Sequence, residues 1–138
     1  MRSTGWRKKL LVVEDDAVQI QVLATKLRAG GYDVAVARDA VQSISLVRQA
    51  KPNLILLDIG LPGGDGYVVL QRLKALSQTA PLPVLALSSR PAETERDKML
   101  ASGADDYFEK PINYERLLER IKELLGDATA LYPAPEDR

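Results

Sequence analysis

A three-layer α/β sandwich of the doubly wound (β/α)5 kind is the fold class predicted by two observations. Apolar runs at residues 10–13, 34–37, 54–57 and 84–87 alternate with longer stretches whose apolar residues recur at helical spacing. The runs also lack the polar alternation of a half-exposed strand. Such strands suit a parallel sheet covered by helices on both faces and reached through right-handed crossovers. At 138 residues the chain is long enough for one domain with a full core.

Each element has its own signal. The first strand ends in Glu14-Asp15-Asp16, and Asp16 is placed to cap a helix on which Ile20, Leu23, Ala24 and Leu27 share a face. Gly30-Gly31 stops that helix. After the second strand Asp39 caps a helix with Ala40, Ile44 and Val47 on one stripe. The third strand closes on Asp58. A glycine-rich loop follows, in which Asp65 is a candidate cap, and then a helix over 66–77 carries Val69, Leu73 and Leu76. Ser89, with Pro91 in the first turn, opens a fourth helix that runs to Ala101 on a weak apolar stripe. A brief fifth strand is expected at 106–109. The last helix uses Leu117, Leu118, Ile121, Leu124 and Leu125 before Gly126. Residues 1–7 read as an N-terminal extension, 8–125 as the domain, and 126–138, with Pro133 and Pro135, as a flexible tail or the start of a linker.

Composition narrows the chemistry. Nineteen basic residues balance nineteen acidic ones, so no general electrostatic footprint for nucleic acid or an anionic membrane is present. No cysteine and no histidine occur, which removes thiolate metal sites, cysteine nucleophiles and the usual general base. Catalysis would have to use carboxylate, hydroxyl, lysine, backbone or metal. No apolar run approaches the length of a bilayer span, and the opening residues lack a signal-peptide core, so a cytoplasmic location is expected.

In a doubly wound sheet, ligands bind beyond the carboxyl ends of the strands. Glu14, Asp15, Asp58, Ser88 and Lys110 all fall at or just after predicted carboxyl ends. Carboxylates converging on one sheet edge repel one another and resist leaving water; they coexist with a bound cation or with shifted pKa values.

Four blocks carry a resemblance: Val-Val-Glu-Asp-Asp at 12–16, Leu-Leu-Asp-Ile-Gly-Leu-Pro-Gly-Gly-Asp-Gly at 56–66, Leu-Ser-Ser at 87–89 and Gly-Ala-Asp-Asp-Tyr-Phe-Glu-Lys-Pro at 103–111. In this order the chain resembles, over about residues 8–125, the receiver domain of two-component response regulators, of chemotaxis-regulator type. The resemblance implies a flavodoxin-like five-stranded sheet of order 2-1-3-4-5. It also implies a phosphoacceptor signalling domain that assists its own phosphorylation and dephosphorylation, and is not an enzyme in the ordinary sense. Asp58 would accept a phosphoryl group from a histidine kinase, a phosphotransfer protein or a small phosphodonor. A carboxylate is already deprotonated near neutral pH, so this attack needs no histidine.

By the same resemblance Glu14, Asp15, Asp58 and the Gly60 carbonyl would hold Mg2+, with Asp15 a direct ligand, Glu14 acting largely through water, and Mn2+ as a substitute. Mg2+ prefers oxygen ligands and is commonly held by one or two carboxylates together with phosphate oxygens. Lys110 would pair with Asp58 and then with a phosphoryl oxygen, and its bond to Pro111 tolerates the cis form. Ser88 would be the switch hydroxyl, and Tyr107 would turn inward when Ser88 moves. Gly60 and Arg90 would tune the lifetime of the acyl phosphate, with Arg90 lying over the phosphoryl group as a shield. The helix–strand–helix surface α4-β5-α5 would be the output face. Asp105, Asp106, Arg116, Arg120 and Lys122 supply opposite charges there, consistent with a monomer or a weak phosphorylation-dependent homodimer. A downstream protein target or a separate effector domain would receive the signal, with no direct contact to nucleic acid or membrane.

Three other readings compete. A phosphatase or dehalogenase with a nucleophilic aspartate would need an acid two residues on, where Gly60 stands. A flavodoxin-like electron carrier would need a phosphate cradle in the first loop, which instead carries three acids. A scaffold-only pseudo-receiver would take up no phosphoryl group.

Overall fold

The computed structural model describes residues 6–61, 66–126 and 129–130. Five parallel strands, β1 (Lys9–Val13), β2 (Asp33–Ala37), β3 (Leu54–Asp58), β4 (Val84–Ser88) and β5 (Asp106–Glu109), form one sheet of order β2-β1-β3-β4-β5. Helices α1 (Ala17–Ala29), α2 (Ala40–Ala50), α3 (Gly66–Ala75), α4 (Ala92–Ala101) and α5 (Tyr114–Leu125) connect and follow them. The (β/α)5 expectation and its strand order hold.

Successive residues of a strand point to opposite faces, and in the central strands both faces are apolar. Leu11, Val13, Ile55, Leu57, Val84 and Ala86 pack on one side with Val47, Val69, Leu73 and Met99 from α2, α3 and α4. Leu10, Val12, Leu54, Leu56, Leu85 and Leu87 pack on the other with Leu23, Leu27, Leu117 and Ile121 from α1 and α5. Burying leucine-sized side chains on both faces contributes roughly 1.5–3 kcal/mol each. It fixes the sheet, and thereby the edge from which the acidic residues project.

Local signals worked where they were chemical. Asp16 Oδ1 accepts from Val18 N at 2.9 Å and Gln19 N at 3.2 Å, and Asp39 accepts from Gln42 N at 2.7 Å, so both caps form. Gly31 sits at φ 100° after α1, where a side chain would strain. Three details differ. Helix α3 stops at Ala75, because the Thr79 hydroxyl takes the Leu73 carbonyl at 2.6 Å and the chain turns through Leu76; Leu76 is 38% exposed and lies outside the core stripe. Helix α4 begins after Pro91 with no side-chain cap from its own segment, and the Glu109 carboxylate on β5 accepts from Ala92 N at 3.0 Å in place of Ser89. Outside the main sheet, Trp6–Arg7 pairs antiparallel with Thr129–Ala130, so the expected N-terminal extension and C-terminal tail are joined by a short ribbon. The cap expected of Asp65 lies outside the described residues.

Candidate functional site

Strand β1 delivers Glu14, whose backbone N–H continues the ladder to Ala37 at 3.0 Å. Strand β3 ends in Asp58, β4 in Ser88, and β5 is followed by Lys110, whose N–H donates to the Ser88 carbonyl at 2.7 Å. Four residues distant in sequence therefore meet at one edge because parallel strands in register end together. They line, with Asp15 and Arg90, an open cavity of about 300 Å³.

Glu14 and Asp58 are 1% and 5% exposed. Lys110 Nζ lies between them, 3.1 Å from Glu14 Oε1 and 3.4 Å from Asp58 Oδ2. The expected Lys110–Asp58 pair is present, and Glu14 is a second partner the sequence did not indicate. Glu14 Oε2 also accepts from the backbone N–H groups of Asp15 and Asp16 at 3.1 and 3.2 Å. Burial, and then a carboxyl hydrogen bond to Asp58, push the Glu14 pKa up. Asp58 Oδ1 accepts from Gly60 N at 3.0 Å. Asp15 is exposed at the rim. Asp16 titrates below the usual carboxylate range because the N–H groups of Gln19 and Val18 bond its charged form.

Glu14, Asp15 and Asp58 each offer a carboxylate oxygen, and these oxygens lie within 4.8 Å of one another. A hard, all-oxygen donor set open on one side fits a divalent cation that keeps several waters. The close approach of Asp58 to α3 depends on Gly66, whose N–H donates to Ile59 O at 3.0 Å; a Cβ there would stand 2.3 Å from the Asp58 carbonyl oxygen.

The switch pair is assembled differently from the expectation. Tyr107 is 5% exposed and its hydroxyl donates to the Arg90 carbonyl at 2.8 Å. Burial raises its pKa. The inward position reserved for the phosphorylated form is thus already occupied. Ser88, 3% exposed, accepts from Arg90 N at 3.0 Å. Arg90 lines the cavity, but its guanidinium pairs with Glu95 in the first turn of α4 at 3.4 Å. Gly60 lines the cavity without a side chain. Ser89 lines it as well, and so do Asp16, which the sequence marked only as a helix cap, and Gln19, which it did not place in the site. The position of Gln19 in the first turn of α1, directly after the acidic run, is the signal that would have found it.

Two of the charges expected to meet across a dimer, Asp106 and Arg120, are paired within one chain. Asp106 pairs with Arg96 at 2.5 Å and with Arg120 at 3.0 Å, and Arg120 also reaches Glu123 at 3.1 Å. Asp105 accepts from Val84 N at 2.9 Å. Among the described residues, no helix is long and apolar enough to cross a membrane.

Residues 10–122 match the model of the response regulator receiver domain. The chain is 38% identical over 117 residues to the DNA-binding dual master transcriptional regulator RpaA of Synechocystis, an alignment that covers 85% of this chain and 48% of that protein. It spans about half the length of the curated relatives it matches. A response regulator structure from Chloroflexus aurantiacus superposes with TM-score 0.82 at 30% identity, covering 86% of this chain and 98% of that one. The receiver domain of sensor histidine kinase PA1611 from Pseudomonas aeruginosa, solved with magnesium coordinated in its active-site cleft, superposes with TM-score 0.79 at 28% identity, covering 88% and 99%.

Proposed function

The chain belongs to the response regulator receiver family of two-component systems, and from that premise we propose that Asp58 is its phosphoryl acceptor. One observation carries the reading. Asp58 is a buried carboxylate at a strand end, with one oxygen on the Gly60 amide and the other facing Lys110, beside two further acids.

An Asp58 oxygen attacks the phosphorus of a phosphohistidine on a partner kinase or phosphotransfer protein. The O–P bond forms as the P–N bond breaks, and the bonding pair stays on the imidazole nitrogen, which is protonated from water. Lys110 then exchanges a carboxylate oxygen for a phosphoryl oxygen, a charge-assisted contact of the same kind. Glu14, Asp15, Asp58 and the Gly60 carbonyl would hold Mg2+, or Mn2+ through the same ligand class. When bound, the cation neutralises the carboxylates and draws charge off the phosphoryl oxygens. The chain thereby assists its own phosphorylation and dephosphorylation without being an enzyme for a separate substrate.

Ser88 is the switch hydroxyl. To reach a phosphoryl oxygen it gives up the Arg90 N–H, and Tyr107 holds the same loop through the Arg90 carbonyl, so the two residues couple the site to the start of α4. Gly60 and Arg90 set how easily water reaches the phosphorus in line; Arg90 shields only after leaving Glu95. The signal passes through α4, β5 and α5 to an effector domain or protein target in the cytoplasm, with the chain a monomer or a weak phosphorylation-dependent dimer. Residues 8–125 are the receiver unit.

Intact-mass measurement after acetyl phosphate and Mg2+ tests the acceptor. The parent gains one phosphoryl adduct and Asp58→Asn gains none; an adduct persisting on the variant places the acceptor elsewhere.

A further inference from the structure

Charge is segregated in this electrically neutral chain. From residue 40 to 57 and from 66 to 92 the sequence has no acidic residue, while Arg48, Lys51, Arg72, Lys74 and Arg90 fall in those stretches. Helices α2 and α3 therefore present only cations. Asp39, directly before α2, is committed to capping Gln42 N at the start of that helix. On α4 and α5, Arg96 and Arg120 are each paired with a carboxylate. Among the described residues Arg48, Lys51 and Arg72, all exposed, enter no ion pair. Lys74 is the exception in kind: it is turned inward and donates to the Ala80 and Leu82 carbonyls at 3.0 and 2.8 Å, fixing the loop after α3.

The same face is grooved and apolar. One cavity of about 370 Å³ lies between Val41, Ile44, Arg48 and Arg72, and a second of about 450 Å³ continues it past Arg48 to Lys51, Pro52 and Leu82. Arg48 belongs to both. Of the five large apolar side chains most exposed on the described surface, three are here: Val41 at 83%, Val68 at 42% and Leu76 at 38%. Val68 and Arg72 stand four residues apart along one edge of α3, and Leu76 follows in the turn after it.

The geometry points to the α2–α3 groove as a docking site for an acidic amphipathic segment of a partner protein. Charge complementarity selects that occupant: unpaired cations flank an apolar trough, the arrangement that accepts leucine-like anchors between rows of carboxylates. Three exposed cations are few for tracking a phosphate backbone, where binding strength rests on many such contacts. The site lies outside the Asp58 cavity and its occupation does not depend on phosphoryl chemistry.

The test uses the 138-residue chain, 15N-labelled, and a synthetic peptide with leucines at i, i+3, i+4 and i+7 and glutamates at the other positions. Amide shifts are expected at Val41, Ser45, Arg48 and Arg72, with binding that weakens as salt rises. A twin peptide with lysines for glutamates should not bind. Arg48→Glu with Arg72→Glu should weaken binding by about tenfold or more, and the milder Arg48→Gln with Arg72→Gln should fall between; Glu119→Lys on α5 should leave it unchanged. Unaltered amide spectra away from the groove establish that the variants fold. Shifts elsewhere, equal binding of the lysine twin, or full binding by the double glutamate variant would overturn the proposal. So would tighter binding at the same amides by phosphatidylcholine–phosphatidylserine vesicles or by duplex DNA.

Discussion

Replacing Lys110 by methionine removes the cation that lies between two buried carboxylates while keeping the length of the side chain. At 3.1 and 3.4 Å the gross attraction to Glu14 and Asp58 is about 5 kcal/mol each at an effective dielectric of 20. Desolvation of all three groups and the partial exposure of Lys110, 15%, offset most of it. The expected net loss is about 2–4 kcal/mol near neutral pH, because the variant leaves two buried like charges without a counterion. The loss is pH-dependent with a definite sign. Burial and Asp58 already raise the Glu14 pKa, and Lys110 is among the groups that lower it, so the variant raises it further. A carboxyl whose folded pKa exceeds its unfolded one binds more protons when folded, and stability falls as pH rises from the unfolded value through the folded one. Urea unfolding of Lys110→Met should therefore show a smaller deficit at pH 5 than at pH 8. Mg2+ at about a hundred times its dissociation constant should restore about 2.7 kcal/mol. A deficit under about 1 kcal/mol at pH 8, or one indifferent to both pH and Mg2+, would refute the account of Lys110 as the counterion of this cluster.

Three other outcomes follow from the geometry. Ser88→Ala should still accept a phosphoryl group at Asp58 but lose most of the change in amide exchange around Tyr107 and the start of α4 on adding beryllofluoride; an undiminished change would remove Ser88 from the switch. Gly66→Ala should cost about 3 kcal/mol or more by thermal unfolding, since its Cβ would meet the Asp58 carbonyl oxygen at 2.3 Å and the Ile59 Cα at 2.6 Å, both backbone atoms; a cost below about 1 kcal/mol would show that this turn relaxes freely. Asp106 is burdened by burial, yet the Tyr107 N–H and Arg96 outweigh that and hold its pKa below the usual 3.8. The unfolded chain then takes up a proton first as pH falls, so the stability Asp106 contributes is full above pH 3.8 and is lost through the lower folded value; Asp106→Asn should flatten that acid limb, and an unchanged limb would contradict it.

The sheet and most helices were legible in the chain because their causes are local. Apolar runs such as 54–57 and 84–87 can be satisfied only between two layers, and Asp16, Asp39 and Gly31 act on backbone groups within a few residues of themselves. The convergence of Glu14, Asp58, Ser88 and Lys110 was legible too, since in-register parallel strands bring their carboxyl ends to one edge. Which oxygen faces which cation was not. Glu14 shares Lys110 with Asp58, Arg90 turns to Glu95, Tyr107 is already inward, and Glu109 caps a helix that starts seventeen residues before it. The dimer-forming charges expected at Asp106 and Arg120 pair inside one chain. These outcomes belong to the tertiary structure because a charged side chain takes the nearest counterion or N–H that packing leaves available, and distance in space is set by the strand crossovers, which spacing along the chain does not encode.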